Sequence, residues 1–174
     1  MNINKLTGKK KILQHLYQCM LGMVTFTTIL FLLDIHEHTA ILSTLGATTF
    51  IIYTLPRSYS SDLRRILGGY FIGLVMGLLG FYLINFLDVN IINITLNQSI
   101  IIGGIIVGLS LFFMTLLDAE HPPAAGLSIG LIFNSWTFRT ILIIILSVLF
   151  LAIVKTLLKN WLVDLSSSRK KSRN

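Results

Sequence analysis

Apolar residues in this chain come in unbroken blocks rather than alternating with polar ones. Four blocks are long: Leu13 to Leu33, Leu67 to Phe86, Ile100 to Leu117 and Thr140 to Leu158. A helix rises about 1.5 Å per residue, so about 20 residues cover a hydrocarbon core of roughly 30 Å. Two blocks are shorter, Ala40 to Leu55 and Pro122 to Phe133. Polar punctuation separates them: Asp34-Ile35-His36-Glu37-His38, then Pro56 and the loop Arg57–Arg65, then an Asn-rich stretch from Leu87 to Gln98 without Lys or Arg. Asp118–Pro123 and the connector Asn134–Arg139 complete the series. The pattern predicts an all-α polytopic membrane protein with about six membrane segments, four long and two short or re-entrant. Residues 13–160 read as a single transmembrane domain, between a basic arm (1–12) and a basic tail (161–174).

The stretch DAEHPPAAGLSIGLIF, Asp118 to Phe133, is where ionisable groups and helix breakers meet inside an apolar region. Pro122 has no backbone N–H, and proline disfavours helix at the residue before it, so the preceding span cannot run through. Proline suits the first turn of a helix. A helix is therefore expected to end near Leu117 and a new one to start at Pro122 or Pro123, with its positive end toward His121. At about 18 Å the new helix is short of a bilayer and must be buried against protein. A helix start beside ionisable groups in a membrane protein is a candidate binding site.

Composition agrees with the block pattern. The 174 residues are 54% hydrophobic and only 12% charged, with mean hydropathy +0.81. Soluble domains carry about twice that charged fraction. The excess of 14 Lys+Arg over 7 Asp+Glu sits mainly in the ends and one loop, so it speaks to topology rather than to nucleic acid. Positive charge marks the cytoplasmic side, which places both basic ends there, in a cell (inner or plasma) membrane. Six crossings bring the Arg57/Arg64/Arg65 loop to the same side and leave only Arg139 misplaced. Four crossings put that loop outside. The single cysteine, Cys19, excludes an intrachain disulfide. The first block has no small-residue cleavage site after it and reads as a retained span.

The order long span, Glu-His turn, short span, long span occurs twice, over 13–86 and 100–158. Three crossings per unit would make the two units inverted repeats, a pattern of transporters and channels. Candidate solute- or ion-binding residues follow. His121 could share a proton with a bound anion, or simply bond a neighbouring carbonyl at a helix entry. Asp118 and Glu120 could relay protons to it, or pair with arginines. His36, Glu37 and His38 form the parallel turn. Ser43, Thr44, Thr48 and Thr49 could line a polar path, or bond their own helix carbonyls. Gly69, Gly73 and Gly77 on one span, and Gly104 and Gly108 on another, recur every fourth residue and read as helix-packing faces. Gly126 and Gly130 share that spacing. Arg64 and Arg65 read as topology determinants, or more sharply as a vestibule that attracts anions.

His121-Pro122-Pro123-Ala124-Ala125 resembles the signature of the HPP family of integral membrane proteins. Leu45-Gly46-Ala47-Thr48 resembles that family's "FGAS" segment, and Arg64-Arg65-Ile66-Leu67-Gly68-Gly69-Tyr70 its "PRNVIGGH" segment. Leu63, Arg65 and Tyr70 stand where the usual pattern has proline, asparagine and histidine. The resemblance covers roughly residues 12–160. It implies four spans as usually described and, by members linked to nitrite transport in plastids and cyanobacteria, passage of a small inorganic anion. The expected partners are the bilayer, a small anionic solute and further copies of the chain, as dimer or trimer. No catalytic residue, cofactor or metal is expected. Two alternatives stay open. The His, Asp and Glu side chains of the two turns are metal-ligand types, although six crossings put those turns on opposite sides. A structural membrane subunit is the other.

Overall fold

The computed structural model describes residues 8–32, 39–90 and 95–165. Among them are six helices and a one-turn 3-10 helix at Tyr59–Ser61: α1 Gly8–Leu32, α2 Thr39–Thr54, α3 Leu63–Asn90, α4 Leu96–Leu116, α5 Pro122–Phe133 and α6 Phe138–Leu158. Three are both long and apolar enough to cross a membrane, over 63–89, 96–116 and 138–158. The fourth long helix, α1, carries Gln14, His15 and Gln18 in its first half but exposes Leu16, Met20, Met23 and Val24. The turn His36-Glu37-His38 lies outside the described residues.

Local chemistry sets the boundaries. Pro56 follows the end of α2. Thr95 and Thr137 start α4 and α6 with reciprocal capping boxes to Gln98 and Thr140. The sequence pattern began the third span at Leu67. The helix starts four residues earlier, because Ile66 N–H already bonds the Asp62 carbonyl at 2.9 Å. Arg64 and Arg65 therefore belong to the first turn of α3 rather than to a loop. At the end of α4, Asp118 adopts φ 52°. The Ala119 N–H reaches the Met114 carbonyl at 2.8 Å and the Asp118 N–H the Thr115 carbonyl at 3.3 Å. This is a Schellman ending, with aspartate in the left-handed position that glycine usually takes.

Consecutive helices run in opposite directions. Gln14 and Gln18 on α1 bond the Trp161 and Val163 carbonyls beyond α6. The start of α1, the ends of α2, α4 and α6, and the starts of α3 and α5 thus share one end of the bundle. Lys9–Lys11, Arg57, Arg64, Arg65, Lys155 and Lys159 gather at that end.

The short helix α5 is the centre of the bundle, enclosed by α2, α3 and α4. Ala124, Leu127, Ser128 and Leu131 are buried. Its neighbour α3 runs parallel to it and approaches through glycines. A methyl at Gly73 would meet the Ala124 carbonyl oxygen at 2.2 Å, and one at Gly77 would meet the Ser128 Cα at 2.9 Å. Helix α2 runs antiparallel to α5, with Thr44 against Gly126 and Ile41 against Gly130. Gly104 and Gly108 behave differently: a methyl at either meets nothing within 4 Å among the described residues.

Candidate functional site

Three separated stretches of sequence meet where α5 begins. Thr48 of α2, Tyr70 of α3 and His121 are all buried, His121 and Thr48 completely. The Tyr70 hydroxyl lies 2.8 Å from Thr48 Oγ1, which lies 2.8 Å from His121 Nε2. On its other side, His121 Nδ1 lies 2.8 Å from the Ser60 carbonyl oxygen. A carbonyl can only accept, so Nδ1 carries a proton. Thr48 Oγ1 also lies 3.1 Å from the Thr44 carbonyl oxygen, so its one proton is shared between that carbonyl and its contacts with Tyr70 and His121 Nε2. Burial favours the neutral imidazole. Burial pushes it down to about 4; the Ser60 bond opposes that shift and the charge of Lys155 adds to it.

The start of α5 presents few backbone donors. His121 is the N-cap and prolines occupy the first two helical positions. Neither proline has an N–H, and the third N–H, of Ala124, bonds the His121 carbonyl at 2.9 Å. The helix does start at Pro122 with His121 as its N-cap, so its positive end lies at His121 as the sequence led one to expect. The dipole persists, but the donors of the first turn are missing or used.

The charged groups of the turn are tied to the 3-10 segment. Arg65 lies 2.8 Å from Asp62 and 3.4 Å from Glu120 and also bonds Asp118, with its guanidinium 3.1 Å from the centre of the Tyr59 ring. The Tyr59 hydroxyl sits 2.7 Å from Asp118 and 2.9 Å from Glu120. That hydroxyl, and then Arg65, hold the Asp118 carboxyl below the usual range. The Glu120 backbone N–H and then Tyr59 do the same for Glu120. Of the two expectations for these carboxylates, pairing with arginines is what the structure displays. Neither bonds His121.

Other candidates are distributed more widely. Thr44 is buried and donates to the Ile41 carbonyl, as Thr49 does to Leu45. Ser43 is exposed, and its hydroxyl donates to Thr39 of its own helix, away from His121. Pro122 and Pro123 position α5 as expected. Gly69 lies against His121 itself, a methyl there falling 2.7 Å from His121 Cβ. Among the described residues no three His, Cys, Asp or Glu side chains converge as a metal site requires.

Sequence reasoning missed two groups. Lys155, inside the last apolar block, is only 8% exposed and donates to Ser61 Oγ at 2.7 Å. A lysine within an apolar run, away from the basic tail, was the available signal. Gln18 is fully buried and clamps the Tyr53 and Val163 backbones, fixing the segment after α6.

These helices and their internal polar chain define a polytopic helical membrane protein. A family model described as "HPP, transmembrane region" matches residues 7–170, and the chain belongs to that family. The three stretches that resemble family segments are the ones joined here by Thr48, Tyr70 and His121. No curated protein and no solved structure gives a significant match.

Proposed function

We propose that the chain is a transporter or channel for a small inorganic anion, nitrite-like by its family, with the start of α5 as its selective region. The observation that carries this reading is the buried chain Tyr70–Thr48–His121–Ser60. Such a polar array is costly in a membrane protein unless each member is bonded, and it marks a solute or proton path by default. A neutral imidazole suits proton coupling. An arriving anion raises the imidazole's affinity for a proton, so the two would be taken up together. Asp118 and Glu120 belong to the gating surface at that end.

Two inverted repeats, α1–α3 and α4–α6, agree with the antiparallel central pair α2 and α5. The positive charge gathered at one end supports cytoplasmic termini in a cell membrane. Self-association into a dimer or trimer is supported by the open Gly104/Gly108 face.

The test is uptake of nitrite and a panel of small anions by proteoliposomes, with and without a pH gradient, for wild type and His121→Ala. Saturable uptake that follows the gradient and needs His121 is expected. Absence of uptake for every anion would overturn the proposal.

A further inference from the structure

Resting on the anion-transport reading, a second group deserves a role at the same site. Lys155 sits in the last turn of α6 with its side chain turned inward. An ammonium has three donors, and the described residues supply it one acceptor, Ser61 Oγ, which is neutral. Among the described residues no carboxylate oxygen lies within ion-pair distance of it. The carboxylates of this end of the bundle, Asp62, Asp118 and Glu120, all bond Arg65. The Ser58 hydroxyl, on the same loop as Ser61, is also buried and has no protein partner.

A buried charge ordinarily has a contact partner of opposite sign. Here the neighbouring imidazole is neutral and the first turn of α5 offers no free N–H. We propose that Lys155, with the Ser61 hydroxyl, is the binding locus for the transported anion, and that the ligand carries a single negative charge. One ammonium balances one charge, and a compact cation on a flexible stem accommodates a small ion without demanding planar geometry.

The experiment uses the full chain in two formats. The first is nitrite uptake into proteoliposomes for wild type, Lys155→Gln, Lys155→Arg and Ser61→Ala. The second is thermal unfolding in detergent with sodium nitrite, nitrate or chloride against gluconate. Lys155→Met, which fills the space without charge, replaces the glutamine variant should that fail to assemble. The expected result is a rise in KM of about ten- to a hundredfold in Lys155→Gln. Partial recovery in Lys155→Arg and a smaller rise in Ser61→Ala should accompany it. Stabilisation by the small anions should be present in wild type and lost in Lys155→Gln. Wild-type uptake with an unchanged KM in Lys155→Gln overturns this inference and leaves anion transport standing. Anion-dependent stabilisation that needs Lys155, without uptake, keeps the site and removes the transport reading. Neither uptake nor stabilisation removes both.

Discussion

The closeness of α3 to α5 can be tested by adding one methyl group. At Gly73 the new carbon would lie 2.2 Å from the Ala124 carbonyl oxygen and 3.1 Å from its carbon. That is roughly 1 Å or more inside ordinary contact. The obstacle is backbone, so no rotamer change relieves it, and the two helices must separate. Overpacking of this kind costs about 3 kcal/mol at the upper end of its usual range. Alanine recovers about 1 kcal/mol over glycine in a helix interior. The net loss is about 2 kcal/mol, or roughly 4–8 °C in melting temperature for a chain of this size. Gly104→Ala is the control, since nothing lies within 4 Å of that position. It should leave the melting of the monomer unchanged or raised, and act, if at all, on self-association. The assay is thermal unfolding of dilute protein in detergent, with size exclusion to report the oligomer. A Gly73→Ala protein that melts with wild type, or a monomeric Gly104→Ala that falls as far, would refute the packing argument.

Four further outcomes follow from the site. Thr48→Val keeps the shape and removes the hydroxyl between Tyr70 and His121, so two buried polar groups lose a partner; about 1–3 kcal/mol should be lost in denaturant unfolding. Because His121 is held near 4 in the folded chain against 6.5 normally, the unfolded chain binds more protons between those values, and stability rises with pH across that window. Up to about 3 kcal/mol should disappear on acidification from pH 6.5 to 4, and less in His121→Asn, as read by melting curves at each pH. Arg65→Gln should lower the melting temperature and release the 3-10 segment, seen as faster proteolysis at Arg57 or Arg64; an unchanged cleavage rate would count against the strap. Gln18→Leu removes the clamp on Val163 and should free the segment after α6, detectable as faster amide exchange over residues 161–165.

Much of the architecture was legible because it follows from block length and proline chemistry. The break before Pro122, the short helix after it and its burial against protein all came from what proline lacks and from a length that cannot span a bilayer. The glycine pattern did not tell what packs against what: Gly69, Gly73 and Gly77 face α5, while Gly104 and Gly108 face nothing among the described residues. The meeting of Thr48, Tyr70 and His121 was not legible. It depends on α2 and α3 both lying against the start of α5, and no local pattern encodes which helices touch. Lys155 was passed over because a cation near a helix end usually reports the membrane boundary, and only three dimensions show its side chain turned inward.

The two buried cations at this end of the bundle divide two tasks that a sequence alone would merge. Arg65 spreads a flat guanidinium over the Tyr59 ring and serves three carboxylates, which is what five fixed donors allow. Its charge is spent on joining the 3-10 segment to the turn before α5. Among the described residues Lys155 has one neutral hydrogen-bond partner and no carboxylate at ion-pair distance. The double proline strengthens this division. Pro122 and Pro123 bring no N–H to the first turn of α5, and the Ala124 N–H is used on the His121 carbonyl. The HPP signature thus sets the place and orientation of the short helix and buries His121 against Thr48 and Ser60, while the second buried cation of this end, Lys155, comes from the far end of the chain.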